Sequence, residues 1–187
     1  LLSQGTHRAD LAVVYPLATL HANWDDRREF NETAAVFGKT MYDLTKVIYR
    51  SGIDFDFVDD TAFAEARIDG DRMVVAGMPF RAILLPPMTT VCLRTMSMIA
   101  EFHRAGGVVV AFGHLPTGSD ENGRDDPMLA ELCGQIFGDP VDGQESIEAE
   151  RAVFAASEMQ VISQTLSRLI TRDVIASEEE VYHTHQV

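Results

Sequence analysis

Apolar residues fall along this chain in short unbroken runs, separated by helix-length stretches in which they recur every three or four positions. The clearest instance is residues 81–116, RAILLPPMTTVCLRTMSMIAEFHRAGGVVVAFGHLP. Ala82–Leu85 and Val108–Phe112 do not alternate with polar residues, as suits strands buried on both faces. Each run ends in turn residues, Pro86-Pro87 and Gly113, and the segment between them closes on Gly106-Gly107. Two such strands joined by a helix make a right-handed βαβ unit, and hence a parallel sheet covered by helices.

The same grammar extends along the chain. Residues 10–15 (DLAVVY) read as a first strand stopped by Pro16. Residues 17–37 carry no clean period and read as a long loop, of the kind that often covers or serves a site. Met41, Leu44, Val47 and Ile48 mark a helix over 39–50, with Gly52 as its C-terminal stop. Residues 54–58 (DFDFV) alternate, which places this second strand toward the sheet edge. Asp59, Asp60 and Thr61 offer N-caps for a short helix over 61–66. Asp69-Gly70 predicts a small β-hairpin inserted ahead of the third strand, Ala82–Leu85. Thr89 or Thr90 is the expected cap of a helix over 91–105, which leads to the fourth strand, Val108–Phe112.

Residues 114–126 are polar and glycine-rich, and Pro127 suits the first turn of a helix running to 137, where Gly138 and Pro140 stop it. Residues 139–146 form an acidic loop. Residues 151–156 (RAVFAA) read as the fifth strand, 158–170 as an amphipathic helix, and 173–175 as a last short strand. Residues 181–187 (VYHTHQV) alternate like a strand in which the sequence stops. The expected fold is α/β, a three-layer sandwich with a mainly parallel five-stranded sheet of the flavodoxin-like kind, in strand order 2-1-3-4-5.

Composition narrows the partners. The 187 residues suit one ordinary domain, and 46% hydrophobic residues are typical of a globular chain. A net charge of −14 disfavours nucleic acid and anionic membrane surfaces, both of which call for a cationic face. No apolar run approaches the roughly 20 residues that cross a bilayer. Cys92 and Cys133 form no CxxC and no zinc spacing, and two unpaired thiols fit a reducing cytoplasm. No signal-peptide pattern opens the sequence, and a first residue other than Met suggests processing or excision from a longer chain.

In a sheet of this kind, ligands bind beyond the carboxyl ends of the strands. Those ends gather Tyr15, His21, Trp24, Asp59, Thr89, Thr90 and His114, the candidate binding residues. The motifs of several chemistries are missing. There is no GxGxxG after the first strand and no Walker A sequence, and LATLHANW lacks the Gly and hydroxyl content of a flavin phosphate loop. No GxSxG or GxCxG elbow occurs, and the fourth strand exits through FGHLP, with His114 where a nucleophile would stand. His183 and His185 would share one strand face, but no third ligand lies near in sequence, so no metal or cofactor is expected. No carboxylate pair stands out among 29 acidic residues.

The stretches ADLAVVYP, YRSGIDFDFVDD, ARIDGDRMVVAGMPFRAILLPPMTTV and FHRAGGVVVAFGHLP, followed by a DENG loop, together resemble the class I glutamine-amidotransferase-like domain of large bacterial glycoside hydrolases. The α-L-rhamnosidase type of glycoside hydrolase family 106 is the nearer likeness. The trimerisation domain of family 42 β-galactosidases is a more distant one. The likeness runs from about residue 9 to 137. It implies a non-catalytic accessory or oligomerisation domain over 1–176, with 177–187 opening a following β segment. The implied partner is a catalytic barrel of the same protein or another subunit, with carbohydrate possible at the rim. The alternative is a stand-alone small-molecule-binding or hydrolytic α/β domain that uses the strand-end crevice.

Overall fold

The computed structural model describes residues 7–23, 32–138, 146–148, 151–157 and 159–170, with the backbone alone at 32–34 and 146–148. In chain order the strands are β1 (Leu11–Val14), β2 (Phe55–Val58), β3 (Arg67–Asp69), β4 (Arg72–Val75), β5 (Met78–Phe80), β6 (Ala82–Leu85), β7 (Thr90–Val91), β8 (Val108–Phe112), β9 (Gly118–Ser119), β10 (Ser146–Glu148) and β11 (Ala152–Ala155). The helices are α1 (Leu17–Ala22), α2 (Glu32–Arg50), α3 (Asp60–Ala64), α4 (Leu93–Arg104), α5 (Pro127–Phe137) and α6 (Met159–Leu169). Trp24, the loop at 139–145, the strand expected at 173–175, the segment 181–187 and the boundary at 176/177 lie outside the described residues.

The main sheet has the order β10-β11-β8-β6-β1-β2. Its five strands from β11 to β2 run parallel in the expected order 2-1-3-4-5, and β10 adds an antiparallel edge. β2 is the opposite edge, as its alternation predicts. The unbroken apolar runs are explained by two cores. Ala12, Val14, Ile83, Leu85, Val109 and Ala111 face α4 and α5 through Met96, Ile99, Phe102, Leu129 and Ile136. Leu11, Val13, Leu84, Val110 and Phe112 face α2 and α6 through Leu44, Ile48, Ile162 and Leu166. Each large side chain removed from water in this way contributes about 1.5–3 kcal/mol.

Several expectations need correction. Residues 17–37 are not one loop: α1 forms directly after β1, and α2 begins at Glu32, ahead of the expected 39. The inserted hairpin is a three-stranded sheet, β3-β4-β5. Its first turn is centred one residue later than expected, because Asp69 still pairs with Arg72. Gly70 alone takes a positive φ there (60°), the pattern of a type II′ turn. The second turn places Ala76 (φ 50°) and Gly77 (φ 85°) in the left-handed region, as a type I′ turn requires.

Thr89 and Thr90 do not cap α4. Thr90 and Val91 pair instead with Gly118 and Ser119, and α4 starts at Leu93 after Cys92. The Cys92 side chain makes no capping hydrogen bond. The Leu93 N–H donates to the Asp120 carboxylate at 2.8 Å, so a residue 27 positions away supplies the cap. The acidic loop ends earlier than expected, since Ser146 opens β10.

Candidate functional site

The chain order puts β1 and β6 side by side, with β2 reached in one direction and β8 in the other. This is the topological switch point, where open α/β sheets leave a crevice beyond the strand ends. Here α1 closes it. Thr19, fully buried in that helix, sends its hydroxyl to the Thr90 carbonyl at 2.7 Å. The same oxygen accepts the backbone N–H groups of Thr89 and Thr90, each at 3.1 Å. One hydroxyl thereby satisfies three backbone groups that a ligand or water would otherwise meet. The short helix LATLHA has little intrinsic claim to form, and this tertiary bond fixes it.

Outward from this plug lies a cavity of about 460 Å³. Its walls are Ala22 and Asn23 at the end of α1, Thr89 and Thr90 after β6, and the loop segments Thr117–Ser119 and Gly123–Asp125. The Asn23 amide nitrogen donates to the Thr19 carbonyl at 2.8 Å and to the Thr89 hydroxyl at 3.3 Å, which fixes the side chain along one wall.

The opposite wall is built from the DENG loop. Ser119 and Gly123 pair across it, Ser119 N–H to Gly123 carbonyl at 2.8 Å and the reverse at 3.1 Å. The Asp126 carboxylate accepts from Asn122 Nδ2 at 3.1 Å and from Met128 N–H at 2.9 Å, which caps α5. Hydrogen bonds from Ser119, Asn122 and Met128 hold the Asp126 carboxyl below its ordinary range. Loop and helix starts are therefore one hydrogen-bonded unit.

A second polar cluster sits at the α4 N-terminus. Thr95 donates to Asp60 Oδ1 at 2.6 Å, and Asp120 caps the helix. Burial raises the Asp60 pKa, the Thr95 hydrogen bond opposes that rise, and the Asp120 and Asp59 carboxylates add to it. Burial is also the largest cause of the raised Cys92 pKa, with Asp120 contributing. Burial pushes the Cys133 thiol up to about 11. Neither thiol has the depressed pKa of a nucleophile.

Of the seven candidate binding residues, the structure brings Thr89 and Thr90 into the cavity wall. Tyr15 is 37% exposed and packs edge-on against Phe57 with ring centres 5.8 Å apart. Asp59 caps α3, accepting from Ala62 N–H at 2.9 Å. His21 is exposed on α1, and His114 is exposed after β8, where its carbonyl accepts from Met88 N–H. None of these four is among the cavity residues. Trp24 is outside the described residues. Sequence reasoning missed Asn23, Thr117, Ser119, Arg124 and Asp125. The available signal was the turn-rich SDENG run, whose glycine and small polar residues mark a built loop.

The turn after β8 is tight and leads to β9, not directly into a helix as a nucleophile elbow does. Gly113 has φ 77°, and a Cβ there would lie 2.7 Å from the Pro87 ring. The positive φ belongs to Gly113, and His114 after it does not share it. Among the described residues, no three His, Cys, Asp or Glu side chains gather into a metal-binding set. No helix among them is long and apolar enough to cross a membrane.

Fold and site thus define a flavodoxin-like α/β sandwich with a polar cavity beyond its strand ends. No protein-family model matches the chain, and no curated protein matches it. Solved structures do. A rhamnosidase from Novosphingobium sp. PP1Y superposes with TM-score 0.52 and 19% identity, over 89% of this chain and 14% of its own. A β-galactosidase from the psychrophilic Marinomonas ef1 gives TM-score 0.58 and 9% identity, over 90% of this chain and 29% of its own. The GH42 β-galactosidase Gan42B gives TM-score 0.59 and 11% identity, over 88% and 30%. The chain therefore spans 14–30% of the length of these enzymes, and what they share with it is the fold.

Proposed function

We propose that this chain is a non-catalytic accessory or oligomerisation domain of a multidomain glycoside hydrolase, packed against the catalytic barrel of the same protein or another subunit in the cytoplasm. The observation that carries the reading is the recurrence of its fold as a minor part of a rhamnosidase and of β-galactosidases. The local chemistry agrees. Thr19 ties α1 to the segment after β6, His114 rather than a hydroxyl or thiol follows the β8 turn, and burial raises the pKa of both thiols.

The test is the surrounding open reading frame and its product. A catalytic barrel encoded in frame, whose activity or assembly fails when this domain is deleted, supports the proposal. The absence of any barrel in frame rejects it. The cavity of about 460 Å³ favours a second reading, a stand-alone small-molecule-binding domain. Specific ligand binding by a chain encoded without a barrel would establish that alternative.

A further inference from the structure

We propose that the cavity between Asn23, Thr89 and the Arg124-Asp125 pair is a binding site for a neutral polyhydroxylated ligand, one or two sugar units in size. The inference needs only the cavity and goes beyond the accessory role, which requires no ligand of its own.

Four observations carry it. The volume, about 460 Å³, falls in the range of small-molecule sites, roughly 300–1,000 Å³. Among the described lining residues, Arg124 and Asp125 are the ionised side chains, one of each sign, within a strongly acidic chain. A phosphate or carboxylate ligand would face the Asp125 carboxylate, and an ammonium ligand would face the Arg124 guanidinium. The described lining offers no aromatic ring for a nucleobase and no large aliphatic side chain for an apolar ligand. The described lining residues carry a mixed set of donors and acceptors: the Asn23 amide, the Thr89, Thr90 and Thr117 hydroxyls, the guanidinium and the carboxylate. Such a set matches adjacent hydroxyl groups, each of which both donates and accepts.

The groups are also available and held. Among the described residues, Arg124 and Asp125 take part in no ion pair or side-chain hydrogen bond, and Asn23 uses its nitrogen but not its Oδ1. The walls behind them are fixed by the Thr19 plug and by the Ser119–Gly123 and Asn122–Asp126 bonds. Little ordering cost would therefore attend binding.

The test is a ¹⁵N-NMR titration of the chain with methyl α-L-rhamnopyranoside, methyl β-D-galactopyranoside and inorganic phosphate. One glycoside is expected to give saturable shifts, with Kd in the millimolar range, at the Asn23 side-chain amide and the amides of Thr90, Gly118, Gly123 and Arg124. Asp125 sits at φ 55°, a conformation Asn tolerates, so Asp125→Asn should keep the spectrum elsewhere and weaken binding at least tenfold. Arg124→Gln is expected to do the same. Shifts confined to other surfaces, no saturable shift with either glycoside, or tighter binding of phosphate would each overturn the proposal. None of these outcomes depends on whether a barrel is encoded in frame, so the two proposals fail separately.

Discussion

The Thr19 hydroxyl binds both ends of one peptide unit's neighbourhood, donating to the Thr90 carbonyl at 2.7 Å and accepting the Thr90 N–H at 3.1 Å. With Thr89 N–H as a third partner, this oxygen ties α1, which follows β1, to the segment that follows β6. Thr19→Val preserves shape and removes the hydroxyl, leaving three part-buried backbone groups without that partner. The expected cost is about 1–3 kcal/mol, the desolvation penalty of one orphaned group, since the cavity beside Thr89 and Thr90 gives the others access to water. Thr19→Ser keeps the oxygen and should lose less than about 1 kcal/mol. Urea denaturation of the two variants checks the difference, and equal midpoints would contradict the assignment.

The Asp60 carboxyl gives a pH signature. Burial, aided by Asp120 and Asp59 and opposed by Thr95, raises its pKa above the ordinary 3.8. A raised carboxyl pKa means that folding favours the protonated form. The resulting penalty is absent below the unfolded value, sets in as pH rises past it, and is complete above the folded value. Asp60→Asn removes the ionisation while leaving an oxygen for the Thr95 hydroxyl. Its Tm should exceed that of the parent at neutral pH, with the gap closing as pH falls below about 3.8. A gap independent of pH would show that ionisation of Asp60 is not the cause.

How far the sequence could be read follows from which interactions are local. Val108–Phe112 and Ala82–Leu85 declare themselves because burial on both faces demands unbroken apolar runs. The alternation of FDFV likewise marks β2 as an edge. The site is harder to see, since its parts converge from distant places. Thr89 and Thr90 look like helix caps in sequence, and only the pairing of Thr90–Val91 with Gly118–Ser119 shows otherwise. The true cap, Asp120, lies in a loop that composition marks simply as polar. Nothing in LATLHA announces α1, because its fixing bond is to residues 70 and more positions away. The turn at Gly70 follows the same rule on a small scale: Asp69-Gly70 signals a hairpin, and strand pairing sets its register.

The close approach of α4 to the β8 entry is set by Gly107. A Cβ at this position would collide with the buried Phe102 ring. Gly107→Ala is therefore expected to destabilise the chain by about 1–3 kcal/mol through overpacking. Phe102→Leu, destabilising alone, should make Gly107→Ala less costly in the double variant. A double-mutant cycle by thermal denaturation measures this coupling, and strict additivity would refute the contact.

The two cysteines offer a probe of the protonated-thiol argument. Cys133 is buried with its pKa pushed up to about 11, and Cys92 is also raised. Alkylation by iodoacetamide at neutral pH should be much slower than for a small thiol, and slower at Cys133 than at Cys92. Both should react fully once the chain is unfolded. Fast modification of native Cys92 would reopen a nucleophilic role at the α4 N-terminus.

The central proposal is that this chain is a non-catalytic domain of a larger glycoside hydrolase. It is tested most directly by incubating the purified chain with p-nitrophenyl α-L-rhamnoside and p-nitrophenyl β-D-galactoside and following release of nitrophenol. The account predicts a rate equal to that of buffer at every substrate concentration. Saturable turnover, retained through further purification and reduced by substitution of residues at the strand ends, would contradict it.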